Sequence, residues 1–176
     1  MACVILWSCH RCASTAVERS MRELEKVKVI HEPNCFAFFC EDGRLRNDEK
    51  MFTTKRKSIL SQVQQSLSEG YECIFIKDLA YYISGSFEQY TEGEFANFTH
   101  TFLIRDPVAV ASSMQRMSKA EGRVPFFTDT LGFEELFSMY KMVKSKINLN
   151  PTVISAEDLL KNPRCFEPSL YTSPSF

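Results

Sequence analysis

No stretch of this sequence is apolar for long enough to cross a membrane, which takes about 20 residues. The first apolar run, Cys3 to Trp7, is also too short for the core of a secretory leader. Charge of one sign is missing too: 21 basic residues face 22 acidic ones. No bulk field therefore draws the chain to nucleic acid or to a membrane surface, and any anion has to be held by a local site. Glycine is scarce, and none precedes Gly43. The first loop thus cannot be the phosphate cradle G-x-x-x-x-G-K-[ST], which excludes an ordinary ATP or GTP site of that type. The seven cysteines are an odd, scattered set with no framework spacing. Free thiols in a reducing compartment, hence a cytoplasmic protein, are the expectation. On that expectation Asn97-Phe98-Thr99 is no glycan acceptor.

What is present is alternation. Apolar runs that read as strands are Cys3 to Trp7, Val27 to Ile30, Glu72 to Lys77, Thr99 to Ile104 and Thr152 to Ser155. Helical patterns fall between them, at Ser14 to Lys26, Ser58 to Leu67, Pro107 to Lys119, Leu131 to Lys146 and Glu157 to Lys161. Pro107 suits the first turn of its helix, where a missing N–H costs nothing. Residues 41–57 are polar and charged and read as loop, as do the glycine-bearing, acidic residues 84–97. Phenylalanines cluster at 36–39, 87–102 and 126–137 and read as core. Strand–helix alternation predicts an α/β fold: a mostly parallel central sheet with helices on both faces, in three α/β/α layers. Residues 1–163 form this domain and 164–176 an irregular tail. Ligands of such sheets bind at the carboxyl ends of the strands. That rule brings Ser8 to Thr15, Lys77-Asp78 and Arg105-Asp106 to one rim.

The first of these segments, "WSCHRCAST", supports two chemistries. Cys9-x-x-Cys12 between a strand and a helix is close to a dithiol redox arrangement, in which the helix N-terminus acidifies the first thiol. Trp7 is followed by Ser8 here rather than by cysteine, and the proline-preceded loop such folds need has only Val124-Pro125 to offer. As half of a metal site the pair lacks a matching second pair, since Cys35 and Cys40 are spaced wrongly. The other chemistry is anion binding. A strand–loop–helix junction aims backbone N–H groups and the helix dipole at one spot. Arg11 adds a fork of donors suited to phosphate, and Ser14 and Thr15 add hydroxyls that can also cap the helix.

The loop, as "LWSCHRCASTAVERSM", resembles the 5′-phosphosulfate loop of the sulfotransferase family. It is nearest a divergent branch whose loop runs W-S-x-P-R-S-x-S-T-A-x-E-R. Arg11, Ser14, Thr15 and Glu18-Arg19 match; His10 stands for proline and Cys12 for serine, which exchanges a hydroxyl donor for a weak S–H. A second stretch, "FLIRDPVAVASSM" at 102–114, resembles the family's 3′-phosphate motif, an arginine at a strand end and a serine eight residues on. "VISAEDLLKNP" and His31-Glu32-Pro33 resemble further segments of the same branch. The resemblance covers about residues 3–163. Past them the family continues with a segment that closes over the nucleotide, and "CFEPSLYTSPSF" lacks its pattern, so a C-terminally truncated member is the expectation.

The resemblance implies a P-loop nucleoside-triphosphate-hydrolase-like fold that uses 3′-phosphoadenosine 5′-phosphosulfate (PAPS) as co-substrate and no metal. It implies transfer of a sulfuryl group to a hydroxyl or amine acceptor. Arg11, Cys12, Ala13, Ser14 and Thr15 would meet the 5′ end of the nucleotide, and Arg105 and Ser113 its 3′-phosphate. Arg11, Lys77 and His31 are the candidate catalytic side chains. Glu32 and Asp78 are further candidates for the base, because both follow predicted strands. A family histidine two residues after the strand-end lysine is missing, as Asp78 and Leu79 follow Lys77. Partners are then a nucleotide and an acceptor of unread identity, with neither nucleic acid nor membrane, and no pattern specifies an oligomeric state. A weakly catalytic nucleotide or anion binder of the same fold, and a dithiol redox protein, stand as alternatives.

Overall fold

The structure, a computed structural model, describes residues 2–35, 38, 49–122 and 131–162, with 49–52 as backbone only. The sequence elements lying at 36–37, 39–48, 123–130 and 163–176, including Val124-Pro125 and the tail, fall outside the described residues. Five strands form one parallel sheet: β1 (Ala2–Ser8), β2 (Val27–His31), β3 (Cys73–Leu79), β4 (Thr99–Ile104) and β5 (Thr152–Ser155), in the order β2-β3-β1-β4-β5. The helices are α1 (Ser14–Arg22), α2 (Glu49–Ser68), α3 (Pro107–Ala120), α4 (Phe133–Lys146) and α5 (Ala156–Lys161). The architecture is the three-layer α/β/α fold of P-loop type. Among the described residues no helix is long and apolar enough to cross a membrane.

β1 occupies the centre, paired with β3 on one side and β4 on the other, so Val4 lies between Phe75 and Thr99. A strand covered on both faces cannot alternate polar and apolar residues. Val4, Ile5, Leu6 and Trp7 are accordingly all buried. Trp7 carries the most polar burden of this core. Its Nε1 donates to His100 Nδ1 at 2.9 Å, and its ring stands edge-on to Tyr90. An indole N–H can only donate, so His100 Nδ1 is the acceptor and its Nε2 carries the proton, which goes to the Phe95 carbonyl at 2.9 Å. Burial holds the His100 pKa below its ordinary value, with the Phe95 bond opposing. His100 is therefore a neutral core group.

Three expectations change. Residues 49–57 are not loop but the first turns of α2, which runs to Ser68. Their charges obscured the helical period, which is clear only farther on where Ile59, Val63 and Ser66 turn inward. α1 ends at Arg22, four residues before the expected Lys26, and Lys26 takes a left-handed φ of 60° in the turn into β2. The stretch 84–97 is built largely of 3₁₀ turns, Phe87–Tyr90 and Gly93–Asn97, which place Tyr90 and Phe95 in the core.

Trp7→Phe leaves the buried His100 Nδ1 without a donor. It should destabilise the protein by about 1–3 kcal/mol, the cost of an unmade buried hydrogen bond. Urea unfolding followed by far-UV circular dichroism measures it, and an unchanged midpoint would contradict the assigned bond.

Candidate functional site

The carboxyl ends of β1, β3 and β4 meet at one rim because the strands are parallel and in register: Ser8 pairs with Leu79 and with Leu103. From that rim β1 runs into the loop Cys9–Ala13 and then α1. Without glycine, the turn is made by Arg11 at φ 59° and Ala13 at φ 66°. Left-handed backbone costs an L-residue about 1–2 kcal/mol. Three contacts hold it. His10 N donates to the Leu131 carbonyl at 3.1 Å. Arg105 Nη1 donates to the Arg11 carbonyl at 2.9 Å, and Arg11 Nε donates to Ser113 Oγ at 3.1 Å. A hydrogen bond from a charged donor contributes about 1.5–3 kcal/mol, enough to offset the strain at Arg11.

Arg11, Arg105 and Ser113 are thus brought together, although the last two come from another strand and helix. Ser113 is reached at the side of α3, not at its tip. The tip is occupied by Asp106, whose carboxylate accepts from Val108 N at 3.0 Å. Asp106 therefore caps α3 and does not pair with Arg105. Among the described residues no carboxylate lies within 4 Å of either guanidinium.

The start of α1 is bare. Its N-cap is Ala13, which offers no side-chain cap, and its first turn holds no acid. Ser14 and Thr15 do not cap the helix as expected, because the helix already begins at Ser14 and they occupy its first two positions. The N–H of Cys12 turns back toward the Cys9 carbonyl, while among the described residues no hydrogen bond satisfies the N–H groups of Ala13, Ser14 and Thr15. Ser14 is buried and Thr15 exposed. Two enclosed polar atoms beside this end also lack a partner: Ser8 Oγ and Arg105 Nε. Ser8 went unnoticed as a site residue because a serine closing an apolar strand has no pattern of its own. The nearest helical acid, Glu18, is spent elsewhere, on Arg22 and His31. These features concentrate positive potential and unpaired donors at one point of a nearly neutral chain, the condition for holding an anion.

Cys9 and Cys12 lie under the loop, both fully buried, with their sulfurs 2.6 Å apart. The hydrogen bond from Cys9 pulls the Cys12 thiol below its ordinary pKa, with the Arg105 charge adding to it, while that bond and burial push Cys9 up. It is the second thiol, not the first, that is acidified, chiefly by the hydrogen bond it accepts from Cys9. Among the described residues no group of three metal-ligating side chains occurs.

A second polar cluster sits at the ends of β2 and β3. Lys77 is not a solvated strand-end residue: β3 continues to Leu79, Lys77 is 1% exposed, and its ammonium pairs with Glu32. Glu32 takes a left-handed φ of 36°, donates its N–H to the Lys77 carbonyl at 2.7 Å and accepts from Tyr82 OH at 3.3 Å. Asp78 is wholly buried and ties the turn after β2. It accepts from Asn34 N and Nδ2 at 3.2 and 2.7 Å and from Leu79 N at 2.9 Å, and Tyr90 OH donates to Asn34 Oδ1. Burial nevertheless raises its pKa to about 7. His31 is placed elsewhere, half exposed and bonded to Glu18 of α1, away from the two arginines.

No protein-family model matches the chain. No curated protein matches it either. Among solved structures, a sulfotransferase from Alicyclobacillus acidocaldarius superposes with a TM-score of 0.62, over 93% of this chain and 76% of its own, at 12% identity. A shikimate kinase from Bacteroides thetaiotaomicron does so with a TM-score of 0.49, over 89% and 86%, at 13% identity. At such identity the first likeness is one of fold.

The raised Asp78 carboxyl gives a pH signature. Its folded pKa of about 7 lies above the unfolded one, so the folded state holds the extra proton between about pH 4 and 7. The stability this contributes is fully present below pH 4 and is lost as pH rises through 7. Asp78→Asn should remove that slope from urea-midpoint measurements between pH 5 and 8; an identical slope in the variant would assign it to other groups.

Proposed function

We propose that this protein transfers a sulfuryl group from PAPS to a hydroxyl or amine acceptor. The observation that carries the reading is the convergence of Arg11, Arg105 and Ser113 beside the bare N-terminus of α1. The residues present fit such a co-substrate. Ser8 Oγ and Arg105 Nε are enclosed donors without a partner, and the helix amides await an acceptor. PAPS when bound supplies the sulfuryl group as part of a mixed anhydride.

The remaining roles belong to the chain. Arg11, Ser14, Thr15 and the N–H group of Ala13 hold the 5′ end and stabilise charge that develops there. Arg105 and Ser113 hold the 3′-phosphate. Ser113 Oγ already accepts from Arg11, so its own proton is left for a ligand oxygen. Lys77 and Glu32, paired at the ends of β3 and β2, are assigned to the acceptor side by this reading. Each candidate base is engaged by the chain, Asp78 by three hydrogen bonds, His31 by Glu18 and Glu32 by Lys77 and Tyr82, so the one that takes the acceptor's proton has to give up a partner first. The sheet order and the likeness in fold to a sulfotransferase support the reading without specifying an acceptor.

One observation favours a second reading, a nucleotide binder with little turnover: Lys77 and Glu32 neutralise each other in the buried pair. Transfer of radiolabelled sulfate from PAPS to a panel of alcohols, phenols and amines separates the two. Both readings require the anion site. Arg11→Ala and Arg105→Ala should each weaken adenosine 3′,5′-bisphosphate binding by about 1.5–3 kcal/mol, the scale of a charged hydrogen bond. Isothermal titration measures this, and a wild-type protein that ignores the bisphosphate would end both readings.

A further inference from the structure

The dithiol under the loop has no role in sulfuryl transfer, and its geometry is specific. Cys9 and Cys12 bracket the two residues His10 and Arg11 and touch through their sulfurs at 2.6 Å. A disulfide needs about 2.05 Å, so the sulfurs have only about half an ångström to close. The two sulfurs are therefore already neighbours across the turn. Both side chains are fully enclosed, in a layer that includes Gly132, whose added Cβ would sit 3.8 Å from Cys9 Cβ. The pair also lies beneath the donors assigned to the anion, since Arg105 both reaches the Arg11 carbonyl and acts on Cys12.

We propose that Cys9 and Cys12 form a reversible disulfide with hydrogen peroxide, and that the bond locks the anion loop in its binding shape. The second half rests on the proposed nucleotide site; the first does not. The chemistry balances in two steps. The Cys12 thiolate attacks one peroxide oxygen, the O–O bond breaks, and the departing hydroxide takes up the thiol's proton as water, leaving a sulfenic acid on Cys12. Cys9 sulfur then attacks Cys12 sulfur, the S–O bond breaks, and a second water leaves with the Cys9 proton. Two thiols have lost two electrons and two protons, and one peroxide has become two waters. A small dithiol reverses it by exchange.

Site and oxidant follow from the surroundings. Among the described cysteines Cys12 alone is acidified; Cys3, Cys35 and Cys73 are pushed up by burial. Enclosure selects a water-sized oxidant over a peptide disulfide. The bond acts on binding in two ways, both of one sign. It fixes covalently a turn that otherwise relies on hydrogen bonds to keep Arg11 left-handed, which reduces the ordering cost of the ligand. It also turns an acidic thiol beside Arg105 into a neutral disulfide, so no thiolate competes with the ligand for that charge.

The test uses the full chain, treated with hydrogen peroxide or with a dithiol reductant, alkylated and mapped by peptide mass spectrometry. A Cys9–Cys12 linkage that the reductant removes is expected. Both thiols still alkylated, or a sulfinic acid on Cys12, would overturn the disulfide. Titration of both forms with adenosine 3′,5′-bisphosphate should then show affinity about tenfold tighter in the oxidised form, a gain of preorganisation. By reciprocity the bisphosphate should make the dithiol potential more negative by about 30 mV for each tenfold. Equal or weaker affinity after oxidation would overturn the locking. Absence of binding in either form would sink the nucleotide site and the locking together, while the peptide map would still decide the disulfide. Cys9→Ser should abolish the peroxide response of binding; a response that persists would place it on another cysteine.

Discussion

The site depends on one hydrogen bond from a charged donor, Arg105 Nη1 to the carbonyl of Arg11. Phosphate-cradling loops normally use glycine because the amides must turn toward the anion through left-handed backbone. This loop makes the same turn with an arginine and an alanine. Strain of that size persists only where the surroundings over-determine the conformation. Arg105 supplies much of that constraint, and it comes from the end of β4, the neighbour of β1 in the sheet. The position of one cationic group thus depends on the other, and neither sits correctly unless the parallel sheet has formed. The arrangement has a chemical benefit. A glycine loop offers amides only, whereas here the residue that makes the turn also carries a guanidinium to the site.

Charge placement around this point follows the same logic. The acids nearest this point are engaged by other groups, although the charge of Glu157 still acts on Arg105 and Cys12. Glu18 is engaged by Arg22 and His31, and Glu157 accepts from Asp106 N and Ser155 Oγ. These bonds hold the pKa of Glu157 below its ordinary value. Asp106, the acid closest in sequence to Arg105, is turned into a helix cap. A protein of net charge −1 can therefore bring two guanidiniums together locally without a basic surface.

Most of the scaffold was legible because it obeys local rules. Five apolar runs became five strands, two of them, at 99–104 and 152–155, with the boundaries expected. The rim assignment also held, since parallel alternation leaves few topologies. The misses have a common physical origin. The burial of Lys77 is invisible in "ECIFIK" because its partner, Glu32, lies 45 residues away. The fates of Asp78 and His31 likewise depend on Asn34 and Glu18, each of which belongs to another element. Local pattern decides whether a segment is a strand; only the assembled sheet decides which side chains are consumed in holding it together. For that reason the spacing around Arg11 and Arg105 could suggest their convergence, while the partners that engage Lys77, Asp78 and His31 could not be read from the sequence.

The two polar clusters are not mechanically independent. His10, in the anion loop, packs edge-on against Tyr81 and Tyr82, with ring centroids 5.5 and 5.9 Å away. Tyr82 reaches Glu32 through its hydroxyl. Tyr81 in turn touches the turn before α4, where Gly132 has φ 83° and an added Cβ would meet Tyr81 Cβ at 3.1 Å. Leu131 of that turn accepts the His10 N–H. Loop, 3₁₀ turn and helix start therefore form a closed ring of contacts: His10 to Leu131, Gly132 to Tyr81, and Tyr82 back to His10. In a close-packed interior such a ring moves as a unit, because no member can shift without opening a void or a clash. His10 stiffens the loop by packing. The consequence is coupling: a change in the loop, whether an anion at its amides or a bond between its sulfurs, is felt at the carboxylate of Glu32 through one aromatic pair.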